Sequence, residues 1–300
     1  MEDKNNFPIY AYCAGDSAFP PSIQKITHAP TKIYYRGTLI PSIPCIAIVG
    51  TRKASLEGKK LAYHTAYELA KNGWCIVSGL AFGIDISAHK GALAAHGKTW
   101  AVLAHGLDTV QPKEHTSVAQ EILESGGCLI SEYPALTPPL PHQFLARNRI
   151  VSGLSEAVIV IEAPRASGSI ATARHAAQQN KQVFVFPGPA SSPLYMGSHE
   201  LIRAGARLVR NLQDIQADLS SLQQTMFSDQ SIREAKSSSS LTKTQQMIFD
   251  CVASHKKAMS IDTIIEETSI PYQKVHTDIA FLIQKNLLAE DGVQLYKTCT

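Results

Sequence analysis

The chain has 300 residues, of which 44% are hydrophobic, with 28 Lys and Arg against 25 Asp and Glu. This length suits one large domain and a small one, since domains commonly span about 100–200 residues. The formal net charge of +3 permits nucleic-acid binding but does not argue for it, so a basic binding surface has to be local. No apolar run approaches the roughly 18 residues of a membrane span. The polar start Met1–Asn6 has no signal-peptide core, so we expect a cytoplasmic protein without membrane contact.

Six cysteines are spread along the chain, and no two of them form a CxxC pair. Cys45, Cys75 and Cys128 lie inside or beside apolar runs. This distribution is typical of small buried side chains in a reducing compartment, not of a disulfide framework or a zinc site. We therefore predict no metal site.

Residues 1–43 hold five prolines and few periodic patterns, so we treat them as an N-terminal extension with one short strand at 32–37. Between 44 and 219, apolar strands alternate with helical patterns. The predicted strands lie near 46–49, 74–78, 99–103, 127–131, 157–161, 182–186 and 206–209, and the predicted helices at 58–72, 84–96, 117–124 and 170–179. This alternation predicts an α/β domain with a Rossmann-like, mostly parallel sheet and helices on both faces.

Serine and glutamine are frequent in residues 220–240, which predicts a flexible linker. Residues 241–300 show three amphipathic helical patterns and then a hairpin that turns at Asp291-Gly292. The sequence therefore predicts a small winged-helix-like domain, a module that usually binds duplex DNA. The formal charge of this segment is −1. Because phosphate contacts supply much of DNA affinity, we favour a protein-interaction role and keep duplex binding as the alternative.

Three predicted strands run into glycine-bearing turns that precede helices: Gly50-Thr51-Arg52, Ser78 to Gly83, and Ser167 to Thr172. Glycine lets the backbone approach a ligand closely, and a helix start offers free N–H groups and a positive dipole end. Since the carboxyl ends of parallel strands meet at one edge of a sheet, these turns predict an anion site, most simply for phosphate. Arg52 adds a guanidinium that is able to hold a phosphate through two hydrogen bonds. The simpler alternative is a structural turn with a surface arginine.

Asp85 and His89 lie four residues apart on a predicted helix and are candidates for an acid–base pair or for metal ligands. A structural interpretation is favoured, because an acid near a helix start complements the dipole and a histidine commonly packs near it. The turn before them matches neither a GxGxxG nor a Walker A motif. We therefore predict no catalytic residue and no cofactor.

The segment Phe144 to Arg149 precedes the strand at 157–161 and carries two arginines. Residues three apart on a helix share a face, so Phe144 and Arg147 are placed to stack on a base and to hold its phosphate. The equally weighted alternative puts Phe144 in the core and makes one arginine an ion-pair partner of Glu162. Besides Phe144 as the base-stacking residue, the predicted phosphate-binding residues are Gly50, Thr51, Arg52, Ser78, Gly79, Gly83, Arg147, Asn148, Arg149, Gly168, Ser169, Thr172 and Lys181.

The order of these motifs resembles that of the DNA-processing protein A family (DprA, also called Smf), over about residues 20–215. The matching segments are Gly50-Thr51-Arg52, Ser78-Gly79-x-Ala81-x-Gly83-Ile84-Asp85-x-x-Ala88-His89, Ser131-Glu132-Tyr133-Pro134, Arg147-Asn148-Arg149-Ile150, Ser167-Gly168-x-x-x-Thr172-Ala173 and Pro187-Gly188. The resemblance implies a homodimer that binds single-stranded DNA in a positive pocket and has no established catalytic activity. It also implies protection of incoming DNA and loading of the RecA recombinase during natural transformation. Many members carry a helical domain ahead of the Rossmann-like part, and residues 1–43 are too short to hold one.

An enzyme of related fold is the alternative, namely a nucleotide phosphoribohydrolase of the lysine decarboxylase-like type. That family carries a PGGxGTxxE motif after a later strand, and His175 stands at the glutamate position here. Glu162 lies at a predicted strand end, but the sequence places no second acid beside it. We therefore predict a binding protein that is not an enzyme. A third possibility is a transcriptional regulator that acts through residues 241–300. The slight excess of acidic residues in that segment argues against it.

Overall fold

The computed structural model describes residues 7–219, 241–255, 259–268, 270–284, 287–291 and 294–297. The chain divides into two compact units, Met1–Ser220 and Ser221–Thr300. The predicted linker at 220–240 and the hairpin residue Gly292 lie outside the described residues.

In the described part of the first unit, nine strands form one sheet: β1 (Tyr10–Cys13), β2 (Lys32–Gly37), β3 (Cys45–Val49), β4 (Cys75–Ser78), β5 (Thr99–Leu103), β6 (Cys128–Ser131), β7 (Ala157–Val160), β8 (Gln182–Val185) and β9 (Arg207–Leu208). Their order is β1-β2-β6-β5-β4-β3-β7-β8-β9. β2 is antiparallel to both β1 and β6, and the other neighbouring pairs are parallel. The order of the parallel strands reverses between β3 and β7, which is the doubly wound, Rossmann-like arrangement that the alternation predicts.

The helices of this unit are α1 (Pro21–Gln24), α2 (Leu56–Lys71), α3 (Ile84–Ala94), α4 (Thr116–Glu124), α5 (Pro141–Leu154), α6 (Gly168–Gln178), α7 (Met196–Arg203) and α8 (residues 212–219). Side chains along β3 alternate between two cores, as the period of a strand requires. Ile46 and Ile48 are buried with α2 and α3. Ala47 and Val49 are buried with α5 and α6. Helices therefore cover both faces of the sheet.

The predicted strands and helices of 44–219 lie within two residues of the observed bounds. The segment 1–43, treated as an extension, contributes β1 and β2 to the same sheet, with Tyr35 opposite Ile130 of β6. β1 is a four-residue strand whose Tyr12 ring stacks on Tyr35 at a centroid distance of 4.8 Å. Such a short strand and the four-residue α1 carry no readable period, so the sequence did not predict them.

The second unit contains α9 (Lys243–Ser254), α10 (Ile261–Thr268), α11 (Tyr272–Gln284), β10 (Met259–Ser260), β11 (Leu288–Asp291) and β12 (Gln294–Lys297). In its described residues the strands form an antiparallel sheet in the order β10-β12-β11. Ile248, Ile264 and Leu282 from the three helices share one core. The three helices and the paired strands β11 and β12 were predicted, whereas β10 was not, and a winged-helix-like domain stays a prediction. Across the described parts of both units, no helix is long and apolar enough to cross a lipid bilayer.

Candidate functional site

A cavity of about 310 Å³ opens at the carboxyl edge of the parallel strands, beside the reversal of strand order. At such a point neighbouring strands send their connections to opposite faces of the sheet, which leaves a crevice. The turns after β3, β4 and β7 and one side of α5 line this cavity. The predicted binding residues in its lining are Gly50, Thr51, Arg52, Gly79, Phe144, Arg147, Asn148, Gly168, Ser169 and Thr172.

The turn after β3 holds Arg52 at this cavity. The Thr51 N–H donates to the Glu162 carbonyl (2.8 Å), and the Ile84 N–H donates to the Thr51 carbonyl (3.3 Å), which fixes the turn against β7 and α3. Arg52 is exposed, and its guanidinium carbon lies 5.2 Å from the centroid of the Phe144 ring, a cation–π contact. Arg52 forms no salt bridge with the described part of the chain, so its charge remains open to an anionic ligand.

Glu162 is fully buried, and among the described residues it pairs with no arginine. Its carboxylate accepts hydrogen bonds from the Ser55 N–H (2.9 Å), the Ser55 hydroxyl (2.5 Å) and the Tyr195 hydroxyl (3.0 Å). Burial and the bond to Glu162 raise the pKa of Tyr195 to about 12, so this hydroxyl stays protonated at neutral pH. A carboxylate at the start of α2 also complements the helix dipole. Glu162 thus anchors the residues that directly follow Arg52.

Arg147 lines the cavity, but much of its guanidinium is hydrogen-bonded within the protein, and only 5% of the residue is exposed. Its Nη1 donates to the carbonyls of Gly79 (2.8 Å) and Val102, and its Nε donates to Asn148 Oδ1 (3.3 Å). A Cβ at position 79 would collide with the Arg147 guanidinium, so a larger residue there would displace this side chain.

Asp85 lies in the same wall as Arg147, and its carboxylate accepts from the Gly79 N–H (3.1 Å). Burial raises the pKa of Asp85, and the charge of Arg147 opposes that rise. Burial also lowers the pKa of Arg147 to about 10, which still leaves it protonated at neutral pH. The two opposite charges largely cancel, so this pair contributes little net charge to a ligand.

Ser78 and Gly83 do not line the cavity, although both were predicted to bind phosphate. The Ser78 hydroxyl is buried in the sheet and donates to the Ile48 carbonyl at 2.7 Å. Gly83 has a φ of 78° directly before α3, a conformation that favours glycine. Both residues shape the turn after β4 and leave ligand contact to its other positions.

Arg149 and Lys181 are also outside the cavity. Arg149 forms a salt bridge with Glu132 at 2.6 Å. Lys181 precedes β8, at the opposite edge of the sheet, and its Nζ donates to the carbonyls of Ser152 (2.8 Å) and Gly153 (2.5 Å) at the end of α5. The structure therefore does not bring either cation to the site that the sequence assigned to it.

His89 has the structural role favoured by the sequence. Its Nδ1 lies 2.7 Å from Thr99 Oγ1, which itself donates to the Ile76 carbonyl at 2.7 Å, so the histidine nitrogen is the donor. Burial lowers the pKa of His89 to about 3, and the ring is neutral. In the described ranges, no group of three or more His, Cys, Asp or Glu side chains is arranged to hold a metal ion.

Helix α6 begins at the cavity. Its N-cap residue Ser167 accepts from the Ser169 N–H (3.3 Å), and Asn148 Nδ2 donates to the Gly168 carbonyl (3.1 Å), which ties α5 to this turn. A helix start presents N–H groups and a positive dipole end, which favour an anion. The cavity therefore combines hydrogen-bond donors with an arginine whose charge is not compensated.

Sequence reasoning missed part of the lining. Leu145, which was not among the predicted binding residues, is 56% exposed and borders the cavity. Pro164 and Ala166, between β7 and α6, also lie in the lining. Neither side chain carries a signal of ligand binding, and only the position of this loop beside β3 brings them there.

The fold and the cavity together define the class, a Rossmann-like protein with a cavity at the switch point of its sheet. Residues 11–220 match the sequence profile of the family described as DNA recombination-mediator protein A. The chain belongs to this family.

Curated relatives share the first unit. Protein Smf from Escherichia coli is 42% identical over 215 residues, which are 71% of this chain and 57% of the relative. The chain thus spans little more than half of that protein's length. DNA processing protein DprA from Streptococcus pneumoniae is 40% identical over 213 residues, 71% of this chain and 74% of the relative.

Solved structures of proteins from the same family also match this chain. The X-ray structure of DNA processing protein A from Streptococcus pneumoniae matches with a TM-score of 0.66 at 39% identity, covering 71% of this chain and 74% of that one. A structure describing the single-stranded DNA binding mode of DNA processing protein A from Helicobacter pylori matches with a TM-score of 0.65 at 34% identity. It covers 73% of this chain and 99% of that one.

Proposed function

We propose that the first unit binds single-stranded DNA in the cavity at the switch point, and that the chain acts in DNA processing and recombination. The observation that carries this proposal is the exposed Arg52 over the Phe144 ring, at a cavity that also receives the start of α6. Family membership supports it, as does the single-stranded DNA binding mode described for the Helicobacter pylori relative.

The two side chains suit the two parts of a nucleotide. Arg52 holds a backbone phosphate, assisted by the helix start at Gly168 and Ser169. Phe144 is half-buried and offers a flat apolar surface on which a base stacks. Binding of this kind is tolerant of sequence, because every base has a π-face.

On the basis of the family resemblance, the proposal extends to the cellular role. A homodimer in the cytoplasm would protect incoming single strands and help load the RecA recombinase onto them during natural transformation. The C-terminal unit would serve protein interaction.

The proposal includes binding without catalysis. Glu162 does not line the cavity, and its carboxylate is occupied by Ser55 and Tyr195. Asp85 lines the cavity, but it is buried beside Arg147 and bound to the Gly79 N–H. Neither acid is placed like a general acid with access to a glycosidic bond.

Fluorescence polarisation tests the proposal directly. Labelled oligo-dT and a duplex of the same length are titrated with the parent, Arg52→Ala and Lys71→Ala at two salt concentrations. Lys71→Ala removes the same charge from the far end of α2, roughly 20 Å away.

The parent should prefer the single strand, and Arg52→Ala should bind about tenfold more weakly or worse, because a hydrogen bond to a charged group contributes about 1.5–3 kcal/mol. Lys71→Ala should bind like the parent. Equal affinity of Arg52→Ala and the parent would contradict the assignment of the site.

A further inference from the structure

A second cavity of about 300 Å³ adjoins the first. The two share Arg52, Gly79, Ala81 and Phe144 in their linings, so these residues form a common wall. The remaining lining of the second cavity is mostly apolar and consists of Phe82, Gln111, Pro112, Pro139 and Pro141. A ligand that occupies the first cavity therefore has an apolar compartment next to it.

Phe82 is held at this second cavity although 45% of it is exposed. It lies in the turn after β4, where Leu80 and Gly83 have φ values of 55° and 78°. The Phe82 ring meets the edge of His115, with centroids 4.7 Å apart and planes at 67°. His115 is itself fixed, because its Nδ1 lies 2.8 Å from the Leu80 carbonyl. The fold therefore positions an exposed aromatic ring that contributes little to the core.

The chemistry of the compartment suits a nucleobase. Binding cavities for small ligands begin at about 300 Å³ and are mainly apolar with a few polar groups. Here the polar group outside the common wall is the Gln111 amide, which has both a donor and an acceptor for a base edge. A proline-rich peptide would also suit an aromatic and proline-lined groove, but it has no anionic group for Arg52 in the common wall.

We propose that the second cavity is a base-binding subsite for the nucleotide adjacent to the one whose phosphate contacts Arg52, and that Phe82 is its stacking residue. This inference rests on the proposed function. A base in a duplex is already paired and stacked, so the subsite also favours single strands over duplex.

The test compares oligo-dT with an abasic strand of the same length, which keeps the phosphates and lacks the bases. Phe82→Leu retains apolar volume and removes the flat ring. Its affinity for oligo-dT should fall by about 5- to 150-fold, the range expected for one stacked base, while its affinity for the abasic strand stays that of the parent. Tyr10→Leu is the matched control, since Tyr10 is an aromatic residue on β1 that is 52% exposed. It should bind both strands like the parent.

A second variant gives a direct signal and guards against misfolding. Phe82→Trp keeps a stacking surface, so it should bind oligo-dT like the parent. Its added tryptophan fluorescence, relative to the parent, should be quenched by oligo-dT and not by the abasic strand.

Three results would overturn the inference: parental affinity of Phe82→Leu for oligo-dT, equal losses on the two strands, or no base-dependent quenching in Phe82→Trp. If Arg52→Ala still weakens binding in that case, the proposed function stands and only the subsite is wrong. If the parent itself does not bind oligo-dT, both are wrong.

Discussion

The buried bonds of Arg147 lead to a prediction different from the one made from the sequence. Arg147→Ala should destabilise the first unit, rather than only remove a phosphate contact. The guanidinium joins the turn after β4, strand β5 and helix α5 through Gly79, Val102 and Asn148. Its removal breaks these bonds and takes a nearby opposite charge away from the buried carboxylate of Asp85.

The size of the loss follows from the burial of the bonds that Arg147 makes. Leaving a buried acceptor without its donor costs about 1–3 kcal/mol, so the loss of the bonds to the Gly79 and Val102 carbonyls should cost about 2–6 kcal/mol. In a domain of 150–250 residues, 1 kcal/mol corresponds to about 2–4 °C, so Arg147→Ala should melt about 4–24 °C below the parent. Exposed Arg52 makes no such bonds within the described part of the chain, and Arg52→Ala should melt within a few degrees of the parent.

Thermal unfolding followed by circular dichroism over a range of pH is the measurement. Burial raises the folded-state pKa of Asp85 above 3.8, and loss of Arg147 raises it further. A carboxyl with a raised folded-state pKa is penalised when ionised, so the deficit of Arg147→Ala should be largest above that pKa. The deficit should become smaller as the pH falls through the raised pKa of Asp85 toward 3.8.

Asp85→Asn, added to Arg147→Ala, should recover part of the lost melting temperature, because it removes the uncompensated charge. A melting temperature for Arg147→Ala within two or three degrees of the parent, with an unchanged pH profile, would refute this reasoning. Arg147 would then be free for a ligand after all.

Three further predictions concern binding and chemistry. Phe144→Leu should weaken oligo-dT binding equally at every salt concentration, since stacking releases no counterions; parental affinity, or a melting temperature many degrees lower, would make Phe144 structural. A chain ending at residue 219 should keep most of its affinity, because residues 241–300 have a formal charge of −1; a folded, dimeric truncation that has lost binding would contradict this. No free base should be released from AMP or CMP, and a release that Glu162→Gln abolishes would show that the chain is a hydrolase.

The sequence predicted the parallel core well, because buried parallel strands are short apolar runs bounded by turn residues. It did not predict that residues 1–43 complete the same sheet. That outcome depends on the pairing of β2 with β6, in which Tyr34 lies opposite Ser131. Pairing between segments so far apart in the chain leaves no local pattern to detect.

For the site, too, local sequence patterns predicted some features, whereas features that depend on tertiary contacts were not predicted. The turns at Gly50, Gly79 and Gly168 meet at one edge because the chain alternates strands and helices, and that could be predicted. The contacts that each arginine makes could not be predicted. Arg147 and Arg149 belong to one short motif, yet distant acids, Asp85 and Glu132, engage them separately.

This distribution of charge determines how strongly the affinity for single-stranded DNA should depend on salt concentration. Among the described residues that line the cavity, Arg52 is the cation without an acidic partner. Each phosphate neutralised on a single strand adds about 0.7 to the slope of log affinity against log salt. We therefore expect a slope of about 0.7 for each protein chain bound to the strand. Much of the affinity should come from stacking on aromatic rings, which salt does not remove. A slope of about 3 or more would mean that cations outside this cavity contact the strand, and salt titration of Arg52→Ala would then leave most of it in place.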